Sequence, residues 1–196
     1  MIQAIYNTIS ADDLILNERE TASRLQVEKG FKSEIIDQCL NELKTNVNCK
    51  FSAVSTNVSY YENSFLDCGF GKFQSKNLTK ILNNSKTAYV FAVTLGIEVD
   101  RLLNKYSLLS PSKHFIIDAL ASSMAESAAD KAEEIIKGET ACHSRFSPGY
   151  GDLSLELQPK ILKLLNADKL LGITLNDALL MSPGKSVTAI MGIKNE

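Results

Sequence analysis

Tryptophan is absent from this chain of 196 residues, and it carries only four prolines, four cysteines and two histidines. Each shortage excludes a class of function. Cys39, Cys49, Cys68 and Cys142 form no Cys-x-x-Cys pair, so neither a zinc ribbon nor a thioredoxin-type redox centre is written here, and a reducing cytoplasm is the expected setting. His114 and His143 have no acid and serine or cysteine partner at a recognisable spacing, which leaves no catalytic triad in view. Cys142-His143 lacks the two further ligands that a zinc site needs. Long apolar runs are missing as well. The longest, Ala88 to Ile97, is broken by Thr94 and is about half the ~20 residues of a membrane span, so no transmembrane segment is expected. Nothing at the N-terminus resembles a charged, apolar and cleavable leader. Charge of one sign is equally scarce: 21 basic against 23 acidic residues give a net charge of −2. The lysines are scattered rather than striped, which gives no footprint for nucleic acid.

Glycine-rich phosphate loops are lacking too. Cys68-Gly69-Phe70-Gly71-Lys72 has neither the upstream glycine nor the following Ser or Thr of a P-loop and reads as a turn. No Gly-x-Gly-x-x-Gly follows a predicted strand, which argues against a Rossmann-type methyltransferase.

What is present is a mixture of strand and helix signals over one domain's length. Met1 to Ser10 reads as a short strand, and Asn17 to Glu28 and Phe31 to Asn46 as helices, the second with Ile35, Ile36, Cys39, Leu40 and Leu43 at helical spacing. Between Lys50 and Phe65, aromatic and β-branched residues predict two strands of an antiparallel sheet. A helix over Ser75 to Leu82, a central strand over Lys86 to Thr94 and a helix over Glu98 to Tyr106 follow. Ser110-Pro111 and Gly138 frame a long helix with the stripe Ile116, Leu120, Met124, Ala128, Ala132 and Ile136 toward the core. On that helix Glu126 shares another face with Ala119, Ser122 and Ala129, whose short side chains leave room for an approaching group. Pro159 to Leu165 is predicted helical. Ile173 to Met181 and Ser186 to Ile193 read as strand-like segments paired around the Pro183-Gly184 turn, the first being equally readable as a short helix. Without a βαβ rhythm the fold class is α+β.

One stretch stands out chemically: Arg145-Phe146-Ser147-Pro148-Gly149-Tyr150-Gly151-Asp152. A guanidinium that takes a carboxylate through two parallel hydrogen bonds stands beside a turn built from proline and glycine and beside an aromatic ring. By itself this is also how an ordinary surface turn is written.

The segment resembles the end of the activation domain of cobalamin-dependent methionine synthase, whose pattern Arg-x-x-x-Gly-Tyr matches Arg145 to Tyr150. Ala88 to Gly96, Leu120 to Glu126, Gly172 to Ala178 and Pro183 to Val187 are similar to that family in the same order. Together they cover the second half of the chain well and the part before about Ser85 only loosely. The resemblance implies a bent antiparallel sheet with packed helices. Residues 1–196 are expected as a single activation-domain-like unit, with residues 1–84 as an N-terminal helical and strand subdomain and residues 85–196 as the part that binds S-adenosylmethionine. Arg145 would take the methionyl carboxylate, and backbone near Ser147 and Gly149 the adenine edge. Glu126, or Asp130 one turn on, would serve as the acid, and Tyr150 would pack on the ligand.

In function the resemblance implies methionine synthase reactivation: inactive cobalamin is returned to use by one electron and a methyl group from S-adenosylmethionine. That task is one of positioning and needs no side-chain base. No Asp-x-His-x-x-Gly corrinoid motif occurs in the chain, so cobalamin would come with a partner, a methionine synthase or related corrinoid methyltransferase, alongside a flavodoxin-type electron donor. The chain would be a component of that methyltransferase system in methionine biosynthesis rather than an independent enzyme. The alternative is a noncatalytic interaction module for a corrinoid protein. Two departures from the family pattern bear on this: Gly151 stands where proline is usual, which predicts a looser turn, and Ala189-Ile190-Met191-Gly192 stands where an aromatic cluster would form a pocket wall.

Overall fold

The computed structural model describes residues 4–30 and 33–195. Four antiparallel strands, β1 (Ala4–Ile9), β2 (Cys49–Asn57), β6 (Thr87–Thr94) and β9 (Ser186–Gly192), form the main sheet in the order β1-β2-β6-β9. A small sheet joins β3 (Ser59–Tyr60), β4 (Phe65–Asp67) and β5 (Lys72–Gln74), and β7 (Thr174–Leu175) pairs with β8 (Met181–Ser182). The helices are α1 (Glu18–Leu25), α2 (Glu34–Asn46), α3 (Lys76–Leu82), α4 (Ile97–Leu109), α5 (Pro111–Lys137), α6 (Gln158–Leu164) and α7 (Ala167–Leu171). The expected α+β architecture of an antiparallel sheet with packed helices is what the chain adopts. The main sheet draws two strands from before residue 85 and two from after it.

Both faces of the main sheet are covered, and this explains the apolar run at β6. Phe91 and Val93 face a core built with α1, α2, α4 and α5, while Ala88, Val90 and Ala92 face a second core with α3, α6, α7 and the small sheet. A strand buried on both faces loses the alternation of a half-exposed one. The long helix α5 begins as its sequence signals predict: the Ser110 hydroxyl accepts from the Lys113 N–H, Pro111 occupies the first turn, and Gly138 ends it at φ +50°. Its stripe Leu120, Met124, Ala128, Ala132 and Ile136 is buried. Ile117 rather than Ile116 completes the stripe, because the helix is also packed on a second side through Ala121, Ala125 and Ala129.

Several expectations are corrected. The strands from residues 50–65 go to different sheets, β2 to the main one and β3 to the small one. Ile173 to Met181 does not pair with Ser186 to Ile193. It folds on itself as the β7–β8 hairpin, because β9 is drawn onto β6 by the burial of Ala189, Ile190 and Met191. Ile35 is exposed and α2 turns Cys39 and Leu43 inward instead. The expected starts at Met1 to Gln3 and at Phe31-Lys32 lie outside the described residues.

Candidate functional site

After α5 the chain returns along the outer edge of β9. The Lys194 N–H donates to the Ala141 carbonyl and the His143 N–H to the Gly192 carbonyl, and Phe146 and Ile190 exchange two hydrogen bonds of 2.9 Å. At Ser147 the segment turns away. Backbone direction alternates along a strand, so Thr188, two residues before Ile190, points its N–H and C=O to that same edge just where the cover ends. A cavity of about 340 Å³ opens there, lined by Glu126, Arg145, Phe146, Ser147, Pro148, Tyr150, Gln158, Met181, Ser186, Val187 and Thr188. Its volume is within the range of small-ligand sites, roughly 300–1,000 Å³.

Glu126, Arg145, Ser147 and Tyr150 therefore converge on one hollow, although Glu126 is separated from the others by a helix end and a connecting segment. Gly149 does not line it. Its φ of +92° makes the turn, its N–H donates to the Leu153 carbonyl at 2.7 Å, and a Cβ would press on Leu155. The Gly149 N–H is thus spent inside the loop. Nor is the turn loose at Gly151. Bonds from Tyr150 N–H to Ser147 O and from Leu153 N–H to Tyr150 O tie it, and Gly151 sits at φ +54°, a conformation that proline's ring forbids.

Asp152 fastens the far end of the loop. Its carboxylate accepts from Ser75 Oγ at 2.6 Å, from the Lys76 N–H at 2.7 Å and from the Asn77 N–H at 3.2 Å, at the start of α3. The Ser75 hydroxyl, followed by the two backbone N–H groups, holds the carboxyl below its ordinary pKa against the opposing pull of burial. A depressed folded-state pKa contributes stability that is present above the unfolded value and lost as pH falls through the folded one. Asp152→Ala is expected to cost about 1 kcal/mol at neutral pH, as loss of a helix cap does. It should also flatten the acid limb of a stability-against-pH curve measured by urea unfolding, whereas an unchanged acid limb would show that the contact contributes nothing.

Arg145 is anchored by α5. Its Nη1 donates to Asp130 and, at 3.1 Å, to Glu133, and its Nη2 donates to Glu126 at 3.2 Å. Burial alone would lower the guanidinium's pKa, but the hydrogen bonds to Asp130 and Glu133 outweigh it and the net shift is upward. Three of the five N–H donors of a guanidinium are engaged, and Nε and one Nη2 hydrogen have no acceptor among the described residues. Glu126 and Asp130 were both legible as candidate acids, but in this structure they hold Arg145. Glu133 was missed although it repeats their helical face.

The small-residue face expected to admit a ligand does something else. Ala119 and Ala129 are buried, and Ser122 accepts from Lys185 Nζ at 2.9 Å beside Asp118 at 2.8 Å. The space beside Ser122 thus seats Lys185 and pins the Pro183-Gly184-Lys185 turn to α5. The Ala189 to Gly192 run, expected to leave a wall missing, is core strand, and Gly192 lies so close to Ser85 and Leu82 that a Cβ would not fit. Ser186 to Thr188 form the wall in its place.

Two further residues escaped the sequence reading. Gln158 is 3% exposed and its Oε1 accepts from Thr188 Oγ1 at 2.8 Å. Its amide nitrogen has no protein acceptor among the described residues, and the residue lines the cavity. The only signal for Thr188 was a polar residue inside an apolar strand.

Compared with solved structures, the chain is similar to the MetH reactivation domain in a crystal structure bound to AdoHcy, with a TM-score of 0.69 and 16% identity. The match covers 97% of this chain and 78% of that one. The chain has the reactivation-domain fold. By sequence, no family model and no curated protein matches it. No helix among the described residues is long and apolar enough to cross a membrane.

Proposed function

We propose that this protein binds S-adenosylmethionine in the cavity at the uncovered edge of β9 and acts in trans in the reductive remethylation of the cobalamin of a corrinoid methyltransferase such as methionine synthase. The observation that carries the reading is the convergence of Glu126, Arg145, Ser147 and Tyr150 on one cavity in a chain with the reactivation-domain fold. The ligand's methionyl carboxylate takes the remaining Nε and Nη2 donors of Arg145. Glu126 meets its ammonium, Tyr150 packs on it, and the Thr188 backbone and Gln158 amide supply donors and acceptors for a nucleobase edge. When bound, S-adenosylmethionine supplies an electrophilic methyl group. The residues of this chain hold and orient it and supply no acid or base to the transfer. Cobalamin belongs to the partner, and a flavodoxin-type protein is the proposed electron donor.

Thermal shift tests the binding step. S-adenosylmethionine at 100 times its dissociation constant adds about 2.7 kcal/mol, which raises the melting temperature of a chain this size by about 5–10 °C. Tyr150 is 63% exposed, so Tyr150→Ala is expected to melt like the wild type without ligand and to lose most of the shift with it. Absence of any shift in the wild type at millimolar ligand would remove the reading. Restoration of activity to an inactivated corrinoid methyltransferase, dependent on both S-adenosylmethionine and this protein, tests the action in trans.

A further inference from the structure

Arg145 serves three carboxylates, and one guanidinium neutralises one of them. Glu126, Asp130 and Glu133 project from α5 at positions i, i+4 and i+7, which share a face. Among the described residues the other cation in a salt bridge with the group is Lys137, whose Nζ stands 3.6 Å from Glu133. Three carboxylates against Arg145 and Lys137 leave one uncompensated negative charge. That charge borders the cavity, which Glu126 and Arg145 line. An independent feature marks the same cavity as a ligand site: the buried Gln158 amide, whose nitrogen has no partner among the described residues.

We infer that Asp130 and Glu133 are specificity-determining residues that make the cavity prefer a sulfonium nucleoside to the thioether left when its methyl group has gone. The inference rests on the reading of the site given above. Carboxylate, ammonium and adenosine are common to both ligands and cancel in the comparison. The two differ at sulfur: when the methyl carbon leaves, the electron pair of the carbon–sulfur bond stays on sulfur and the positive charge there is lost. An excess of one negative charge stabilises only the charged form, so spent ligand is released more readily than fresh ligand. Arg145 grips the shared carboxylate and does not discriminate.

The experiment measures dissociation constants for S-adenosylmethionine and S-adenosylhomocysteine by titration calorimetry on the full chain. One unit charge a few ångströms away in a water-like medium favours the sulfonium by about fivefold. The preference should vanish in about 1 M salt, where the screening length is ~3 Å. Asp130→Asn, at a carboxylate that is 70% exposed and so safe for folding, is expected to bring the ratio to about one. Glu133→Gln should act in the same direction. Glu134→Gln, at an exposed residue paired with Lys131, should leave the ratio alone. A wild-type ratio of one, or a ratio that Asp130→Asn and Glu133→Gln leave unchanged, overturns the inference while the site stands. Failure of both ligands to bind overturns the site and the inference together.

Discussion

Arg145→Ala is expected to lower stability by about 2–3 kcal/mol and to abolish binding of S-adenosylmethionine. Removing the guanidinium strands Glu126, Asp130 and Glu133 together on one helix face, with the more distant Lys137 as their one remaining ion-pair partner among the described residues. Breaking a fully buried ion pair costs about 3–5 kcal/mol and an exposed one about 0–1. Arg145 and Glu133 are 22% and 19% exposed while Asp130 is 70% exposed, so the loss falls between those limits. At about 2–4 °C per kcal/mol for a chain of this size, the melting temperature should drop by about 5–10 °C. The mechanism is checked by a second variant: Glu133→Gln added to Arg145→Ala should recover part of the stability, because it removes the least exposed of the repelling charges, without recovering binding. If the double variant is no more stable than Arg145→Ala, charge repulsion is not the cause and loss of packing is.

Gly151→Pro, which restores the residue usual in the resembling family, is expected to destabilise this protein by about 3 kcal/mol rather than tighten its loop. Gly151 is held at φ +54°, while proline locks φ near −65°. A proline in a conformation it cannot reach costs more than the entropy it saves in the unfolded chain. A Cβ at this position also runs into the Asn77 side-chain amide, on the helix whose first turn is held by Asp152. The loop cannot relax without pulling Asp152 from α3 or Phe146 from β9. Gly151→Ala meets the same contact but keeps φ adjustable and should cost about 1 kcal/mol, since αL costs an L-residue about 1–2 kcal/mol and the Asn77 amide is free to move. Guanidinium unfolding of the three proteins orders them; a Gly151→Pro protein as stable as the wild type would mean that this loop is not bound to its present path.

The loop shows why local rules reach only part of the way. From composition, Gly151 in place of proline reads as slack, because glycine widens the unfolded ensemble. In the folded protein the same residue permits a path that hydrogen bonds at 147–153 and the Asp152 contact with α3 then hold. The information that reverses the reading lies 75–77 residues from Asp152, at Ser75, Lys76 and Asn77. Glu126 and Arg145 behave similarly. Each was recognisable as a ligand-type residue, yet that they bond to each other, with Asp130 and Glu133 added, depends on how the segment after α5 doubles back along β9.

Local chemistry in the chain decided the elements: Ser110-Pro111 and Gly138 bound α5, the apolar run at 87–94 became the doubly covered strand β6, and Arg145 to Asp152 was marked as a turn carrying a cation and a ring. These are effects of capping, burial period and backbone restriction, which act over a few residues. Strand partners and the position of the cavity were decided only in the tertiary structure. Segment 141–146 covers β9 as far as Ile190 and departs before Thr188, and an unpaired strand edge is a property of two distant segments, which no window of sequence contains.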